Sequence, residues 1–275
     1  MKFTKPGINS VFTIAADPKW PSIGFETDGK GAHTWTWTIQ WTTFKKTGTA
    51  KTDGNKWSAD TVITNLGGTL TVQVMANNST ATITVKIKGT NPKSSEVVGY
   101  LAKTQSSAGF DKIIAQESKF VHFNTLGEPV KTFDNGFGMC QLTTPAPTFE
   151  KVWNWKLNVD GGIQLYEQKR TAAITYLSQS KRTYTTDQLK YEAVCRWNGG
   201  SYHDWDAKAG KWIRRTTILC DSKTGNIGWD MTDASNKGKT EAELHKRDGE
   251  TYKKPPQANA HWKYSGVCYA DHVLG

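Results

Sequence analysis

Apolar and polar residues alternate along HTWTWTIQW, residues 33–41, placing Trp35, Trp37, Ile39 and Trp41 on one face and Thr34, Thr36, Thr38 and Gln40 on the other. That period of two predicts a strand with one covered face. Residues 67–89, GGTLTVQVMANNSTATITVKIKG, predict two more strands joined at ANNST. Short strands punctuated by Gly, Asn and Pro over residues 1–92 predict a small β-sandwich of immunoglobulin type. Its tryptophan stripe is read as half of the sandwich core in preference to a sugar-stacking platform. Asn91-Pro92 ends the β pattern, and Ser94 or Ser95 is expected to cap a helix beginning at Glu96. From there to about residue 200 the periods are helical. One helix carries Glu117, a second runs from about Ile163 to Leu177 and a third from Thr186 to Trp197. Beyond Cys220 only KTEAELHKRD reads as a helix, so the expected class is α+β, with residues 93–275 mainly helical and loop-rich from about residue 206.

The helix around residue 117 breaks its own pattern. Phe110, Ile113, Ile114, Phe120 and Val121 recur on one stripe whose i+7 position is Glu117. A carboxylate on an apolar stripe loses hydration, which favours its protonated form, and a carboxyl that keeps its proton at neutral pH suits a general acid. The pattern also fits a buried glutamate satisfied by an arginine or backbone amides. The helix at residues 186–197 shows a second break. Tyr191, Val194 and Cys195 form a stripe whose next position is Asn198, followed by Gly199 and Gly200, which let backbone approach a ligand. Polar side chains ending two apolar faces predict a cleft.

Glu117-Ser118 with Phe120, then GFGMCQL (136–142), NVDGG (158–162) and RWNGG (196–200) resemble, in order, the motifs of soluble lytic transglycosylases and goose-type lysozymes. The resemblance spans roughly residues 95 to 205. It implies a lysozyme-like catalytic domain that cleaves the β-1,4 bond between N-acetylmuramic acid and N-acetylglucosamine of peptidoglycan. Glu117 would be the catalytic acid, and Ser118, Phe137, Met139, Gln141, Trp197 and Asn198 would contact the glycan. Cys140 stands where the family usually has methionine, and Trp197 where it usually has tyrosine. Hydrolysis generally uses a second carboxylate; Asp134 is the candidate, although its Asp-Asn-Gly context also suits a turn former. Thr143 occupies the position where goose-type enzymes often carry aspartate. A lytic transglycosylase needs the one glutamate, and that branch is preferred. No metal and no cofactor are expected. His203, Asp204 and Asp206 have no further ligand cluster beside them, His122 is read as structural or surface, and Trp153 and Trp155 as glycan-stacking or core.

Composition adds the setting. With 12 Trp, 9 Tyr and 10 Phe in 275 residues the chain holds ample aromatic surface, and a mean hydropathy of -0.60 predicts a soluble protein without membrane insertion. The net charge of +10 invites a polyanionic partner, but the basic residues are scattered and no nucleic-acid motif accompanies them. Cell-wall glycan fits that charge, nucleic acid is not expected, and a non-catalytic wall-binding module is the competing reading. The N-terminus lacks the apolar core of a secretory signal. A wall-cutting enzyme of this kind would act in the periplasm after delivery by an apparatus such as a type VI secretion system or a phage particle, or after loss of its signal. An immunity protein is then an expected partner. Four cysteines allow three pairings or none; Cys220 and Cys268, in loop-rich sequence, are expected to bridge, with Cys140 and Cys195 packed as small hydrophobes.

Overall fold

The structure, a computed structural model, describes residues 1–104 and 107–275, and it is mixed α+β. Its N-terminal strands are β1 (Phe3–Lys5), β2 (Val11–Ile14), β3 (Gly24–Thr27), β4 (His33–Trp41), β5 (Phe44–Thr52), β6 (Lys56–Ser58), β7 (Gly68–Ala76) and β8 (Ser79–Gly89). One sheet has the order β2-β8-β7-β4-β5, with β2 parallel to β8 and the other pairs antiparallel. A smaller antiparallel sheet has the order β1-β3-β6. Trp35 and Ile39 of β4 are fully buried, and Trp37 and Trp41 nearly so, because a period of two on a sheet with one covered face sends alternate residues inward. Trp35 stacks on Trp57 of β6 at 5.8 Å, and Trp57 on Phe25 of β3 at 5.4 Å, so the two sheets share an aromatic core. The tryptophan stripe is therefore core. The β7–β8 connection turns at Asn77 and Asn78, both with positive φ (47° and 58°), a backbone that asparagine tolerates in a two-residue hairpin loop.

Helices follow as α1 (Ser94–Leu101), α2 (Phe110–Ser118), α3 (Phe149–Trp153), α4 (Trp155–Leu177) and α5 (Thr186–Asn198). The first starts earlier than the sequence suggested. Lys93 holds the cap position, and its backbone N–H donates to the Glu96 side chain at 2.7 Å. The stripe of α2 is also shorter. Lys119 and Phe120 adopt left-handed φ of 53° and 62°, which ends the helix at Ser118 and leaves Val121 37% exposed.

By its contacts the chain forms two compact units, Met1–Lys103 with Glu117–Gly162, and Thr104–Gln116 with Ile163–Gly275. The expected boundary at residue 92 marks the change from strands to helices, whereas residues 117–162 pack with the β strands. Trp153 meets Trp41 at 5.8 Å and Phe123 at 5.8 Å, and Phe44 meets Phe137 at 5.3 Å and Phe149 at 5.5 Å. Gly67 and Gly89 have no room for a Cβ, which would collide with the rings of Trp153 and Phe123. A buried tryptophan hides roughly 200 Å², an upper estimate of about 5 kcal/mol, so these aromatic contacts tie the loop region to the sheet.

In the second unit the chain continues through β9 (His203–Asp206), β10 (Lys211–Arg214), β11 (Ile218–Cys220), β12 (Ile227–Asp230), α6 (Glu241–Asp248), β13 (Lys263–Tyr264) and α7 (Gly266–Leu274). Strands β9 and β10 form a hairpin, and a three-stranded sheet has the order β11-β12-β13. Helix α6 is the charged helix expected, capped by Thr240 with Glu243. This stretch has a small core of its own, Ile227, Trp229, Leu244 and Trp262. Gly266 touches the end of α5 so closely that a Cβ would collide with the carbonyls of Gly199 and Cys195. The chain thus leaves α5 and returns, at α7, to the place it left. Cys220 and Cys268 are bridged across 48 residues, and Cys140 and Cys195 are free and buried, as the sequence suggested. Among the described residues no helix is long and apolar enough to cross a membrane.

Candidate active site

Glu117 and Ser118 close α2 where the backbone turns left-handed, and both are half-buried, so Glu117 keeps part of its contact with solvent instead of lying wholly within an apolar face. Beside it in the first unit, residues 136–142 form a tight hairpin in which Phe137 and Leu142 exchange backbone N–H···O bonds at 3.1 Å. Gly138 sits at the turn with φ 69°, and a Cβ there would stand 2.6 Å from both Asn158 Nδ2 and His122 Cε1. Asn158, buried on α4, holds the hairpin from behind: its Oδ1 accepts the Cys140 N–H at 3.0 Å and its Nδ2 donates to the Phe137 carbonyl at 3.0 Å.

His122 braces the same hairpin from the other side. Its Nε2 lies 2.9 Å from the Val152 carbonyl, which can only accept, and its Nδ1 receives the Met139 N–H at 3.2 Å. Those two partners fix a neutral ring protonated on Nε2. Asn91 in turn fixes His122, accepting the N–H groups of His122 (2.7 Å) and Phe123 (2.8 Å) on Oδ1. Complete burial lowers the His122 pKa to about 3 from its ordinary 6.5. The unfolded chain then binds a proton below pH 6.5 that the folded chain refuses until about pH 3, so stability must fall as the pH drops through that window. Denaturation midpoints at pH 7, 5 and 4 should show that slope, and His122→Asn should flatten it by up to one proton.

The remaining residues singled out from sequence divide sharply. Phe137 (6% exposed) and Met139 (0%) lie in the interior, and Phe137 packs edge-on against Trp41 at 6.2 Å, so neither offers a sugar an open face. The side chain of Gln141 is half-buried and locked, its Nε2 donating to the Gly138 carbonyl at 2.7 Å and its Oε1 facing the Thr132 hydroxyl at 2.8 Å. Asp134 is exposed, and its Oδ1 accepts from Thr132 Oγ1 at 2.6 Å and from the Gly136 N–H at 3.4 Å, the bonding of a turn former. Trp153 and Trp155 are core residues, Trp155 donating Nε1–H to the Ala16 carbonyl at 2.6 Å.

Cys140 reports what surrounds Glu117. Burial first, then the charges of Glu117 and Asp160, push its thiol above the ordinary range. A protonated, buried thiol therefore lies near both carboxylates. Sequence reasoning missed Asp160, since a lone aspartate beside Asn158 carries no spacing signal. It is half-buried and accepts the Tyr100 hydroxyl at 2.9 Å; burial and this bond push the tyrosine up to about 12.

Trp197 and Asn198 belong to the second unit. Trp197 is half-buried, edge-on to Phe110 at 5.4 Å, and Asn198, the last residue of α5, is exposed instead of ending a buried face. The residues after RWNGG have partners of their own: His203 Nδ1 lies 3.1 Å from Glu192, Asp204 pairs with Arg215 at 3.0 Å, and Asp206 accepts the Lys208 N–H at 2.9 Å. A cavity of about 570 Å³ among Asp248, Thr251, Lys254, Pro255, His261 and Trp262 holds none of the motif residues. Comparison of the chain with protein-family models and with curated proteins finds no match.

Proposed function

We propose that the protein is a peptidoglycan-cleaving enzyme, a lytic transglycosylase acting on the β-1,4 bond between N-acetylmuramic acid and N-acetylglucosamine. On this reading the helical part is a lysozyme-like catalytic domain and the β part an immunoglobulin-like docking module. The observation that carries the reading is the grouping around Glu117 in the first unit. A half-buried carboxyl closes a helix beside a glycine-rich hairpin, and that hairpin is braced by Asn158, the residue that opens the third motif of the resemblance.

Glu117 protonates the leaving glycosidic oxygen as the C1–O bond breaks. Its carboxylate then takes the proton of the muramic C6 hydroxyl while O6 bonds to C1, closing a 1,6-anhydro ring. Ser118 and Gln141 are the polar groups of the same unit assigned to the sugars and the reacting N-acetyl group. Two features support the lytic branch over hydrolysis. Asp134 already has its Oδ1 engaged in its own turn, and an intramolecular hydroxyl reaches effective molarities of about 10⁵ M or more, far above water at about 55 M. Digested sacculi should therefore release muropeptides ending in 1,6-anhydro-N-acetylmuramic acid, one water lighter than lysozyme products, and Asp134→Asn should retain most of the activity. Reducing ends as the main product, with activity lost in Asp134→Asn, would identify a muramidase.

The basic charge suits a wall polymer bearing carboxylates. An enzyme carried into another cell's periplasm by a secretion apparatus or a phage, and held inactive in the producer by an immunity protein, fits this activity.

A further inference from the structure

We infer that the outer face of the five-stranded sheet is a docking surface for the wall polymer, taking a carboxylate-bearing glycan strand laid across β5, β4, β7 and β8. This rests on the wall-cleaving reading and adds to it a second contact with the same substrate. The alternation that buries Trp35, Trp37, Ile39 and Trp41 turns their neighbours outward. Strand register sets those neighbours in rows. Thr47, Thr38, Thr71 and Thr84 stand side by side across the four strands, and the next row holds Thr49, Thr36, Gln73 and Thr82. All are exposed or half-buried. A row of four spans about 14 Å at the usual spacing between strands. That spacing is close to the interval at which a β-1,4-linked glycan repeats its sugars, so a glycan laid along a row meets about one polar side chain per sugar.

The threonines suit binding in two ways. Their branched Cβ leaves few rotamers on a strand, so little side-chain entropy is lost when a ligand fixes the hydroxyl. The hydroxyls of Thr71 and Thr84 lie 3.2 Å apart, and those of the other threonines in the two rows have no protein partner among the described residues. A hollow of about 320 Å³ opens on the same face, with Thr38, Gln40, Thr69 and Thr71 among its lining residues, and its volume can seat a sugar ring.

Charge selects the occupant. The strands of this sheet hold none of the chain's 25 Asp and Glu residues. Lys45 and Lys86 end the row on one side of the grid, and Lys51 ends the row on the other. All three are exposed, and none enters an ion pair among the described residues. Strand preference alone does not produce this, because it disfavours glutamate and lysine alike. Blocking of edge pairing accounts for the lysines of the edge strand β5 but not for Lys86, which pairs with Thr69 on one side and Val11 on the other. A neutral hydroxyl grid framed by cations and kept free of carboxylates complements a glycan whose stem peptides carry carboxylates. Duplex nucleic acid fits less well, since it draws on clustered phosphate contacts and these lysines stand at the corners of the grid.

The test uses the full chain as Glu117→Gln, so that the polymer is not consumed, and measures co-sedimentation with purified sacculi at increasing salt. Thr38→Glu with Thr71→Glu places two carboxylates in the hollow and should raise the apparent Kd about tenfold or more. Lys45→Gln with Lys86→Gln should raise it about threefold and flatten its salt dependence. Both results support the inference, and a Kd within about twofold of the parent for either folded pair overturns it. So does binding to duplex DNA or anionic vesicles that these changes weaken while binding to sacculi stays the same. Circular dichroism checks the fold, and should the threonine pair not fold, the lysine pair decides by the same threshold. Muropeptide release by the chain with Glu117 intact keeps the two proposals apart. Binding through this face without release removes the cleaving reading and leaves the docking surface standing. Release with sacculus binding indifferent to both pairs removes the docking surface alone.

Discussion

Glu117→Gln should abolish release of soluble muropeptides from sacculi while the protein keeps its fold. The amide preserves the shape of the side chain but has no proton of the required acidity to give, and its oxygen cannot accept one back from the C6 hydroxyl. Positioned general acid–base catalysis is typically worth about 10²–10⁴-fold, and here one group serves both proton transfers, so the loss should sit at the upper end. Because Glu117 is half-buried, the change in stability should stay within about 1 kcal/mol. Circular dichroism and a denaturation curve beside the activity assay separate lost chemistry from lost fold. Activity within a few-fold of wild type would remove Glu117 from the mechanism.

Opening the Cys220–Cys268 bridge should destabilise the second unit by about 4 kcal/mol, the loop-closure entropy of a 48-residue separation in the unfolded chain. The bridge ties β11 to α7. Next to it Arg214 Nη2 contacts Asp271 Oδ2 at 2.6 Å, and the Tyr202 hydroxyl donates to Asp271 Oδ1 at 2.5 Å. These contacts do not pass through the sulfur–sulfur bond and should hold the native arrangement after reduction, so the loss should be energetic and not a refolding to something else. Denaturation of the Cys220→Ser, Cys268→Ser double variant against wild type measures it, and a difference below about 1 kcal/mol would show that the unfolded chain gains little freedom. The two free thiols should not scramble the bridge in the folded protein. Burial pushes Cys195 up to about 12 and Cys140 above the ordinary range, and the thiolate is the attacking species.

What could be read from the chain follows from how local each signal is. The β4 alternation and the Asn77-Asn78 turn are written in adjacent residues, and both elements formed where expected. The long helices and the bridged cysteines were similarly legible. The α2 stripe was overread because a hydrophobic period continues through Lys119 and Phe120, whose left-handed backbone no side-chain pattern reveals. Strands β9 to β13 are two to four residues long, too short for a period to show, and α7 was hidden in a tail judged by its polar approach. At the candidate site, GFGMCQL forms a hairpin, yet Phe137 and Met139 face inward. The same motif letters suit a residue that touches a ligand and one that supports the turn from below. His122 and Asn158 act across 17 and 18 residues, distances at which pairing is decided by the fold alone.

The contact between Gly199 and Gly266 bears on how such a chain changes over time. Residues 200–265 form an excursion whose two feet stand together on the α5–α7 pair, with a core of their own. An excursion built in this way imposes no fixed span on its host. Away from its ties at His203, Arg214 and Cys220, residues can be added to it, removed from it or exchanged within it while the helices beneath keep their register, whereas a side chain gained at Gly266 would collide with the Gly199 and Cys195 carbonyls and one at Gly199 would strain a backbone held at φ 100°. Novelty is cheap in the loop and nearly forbidden at its feet.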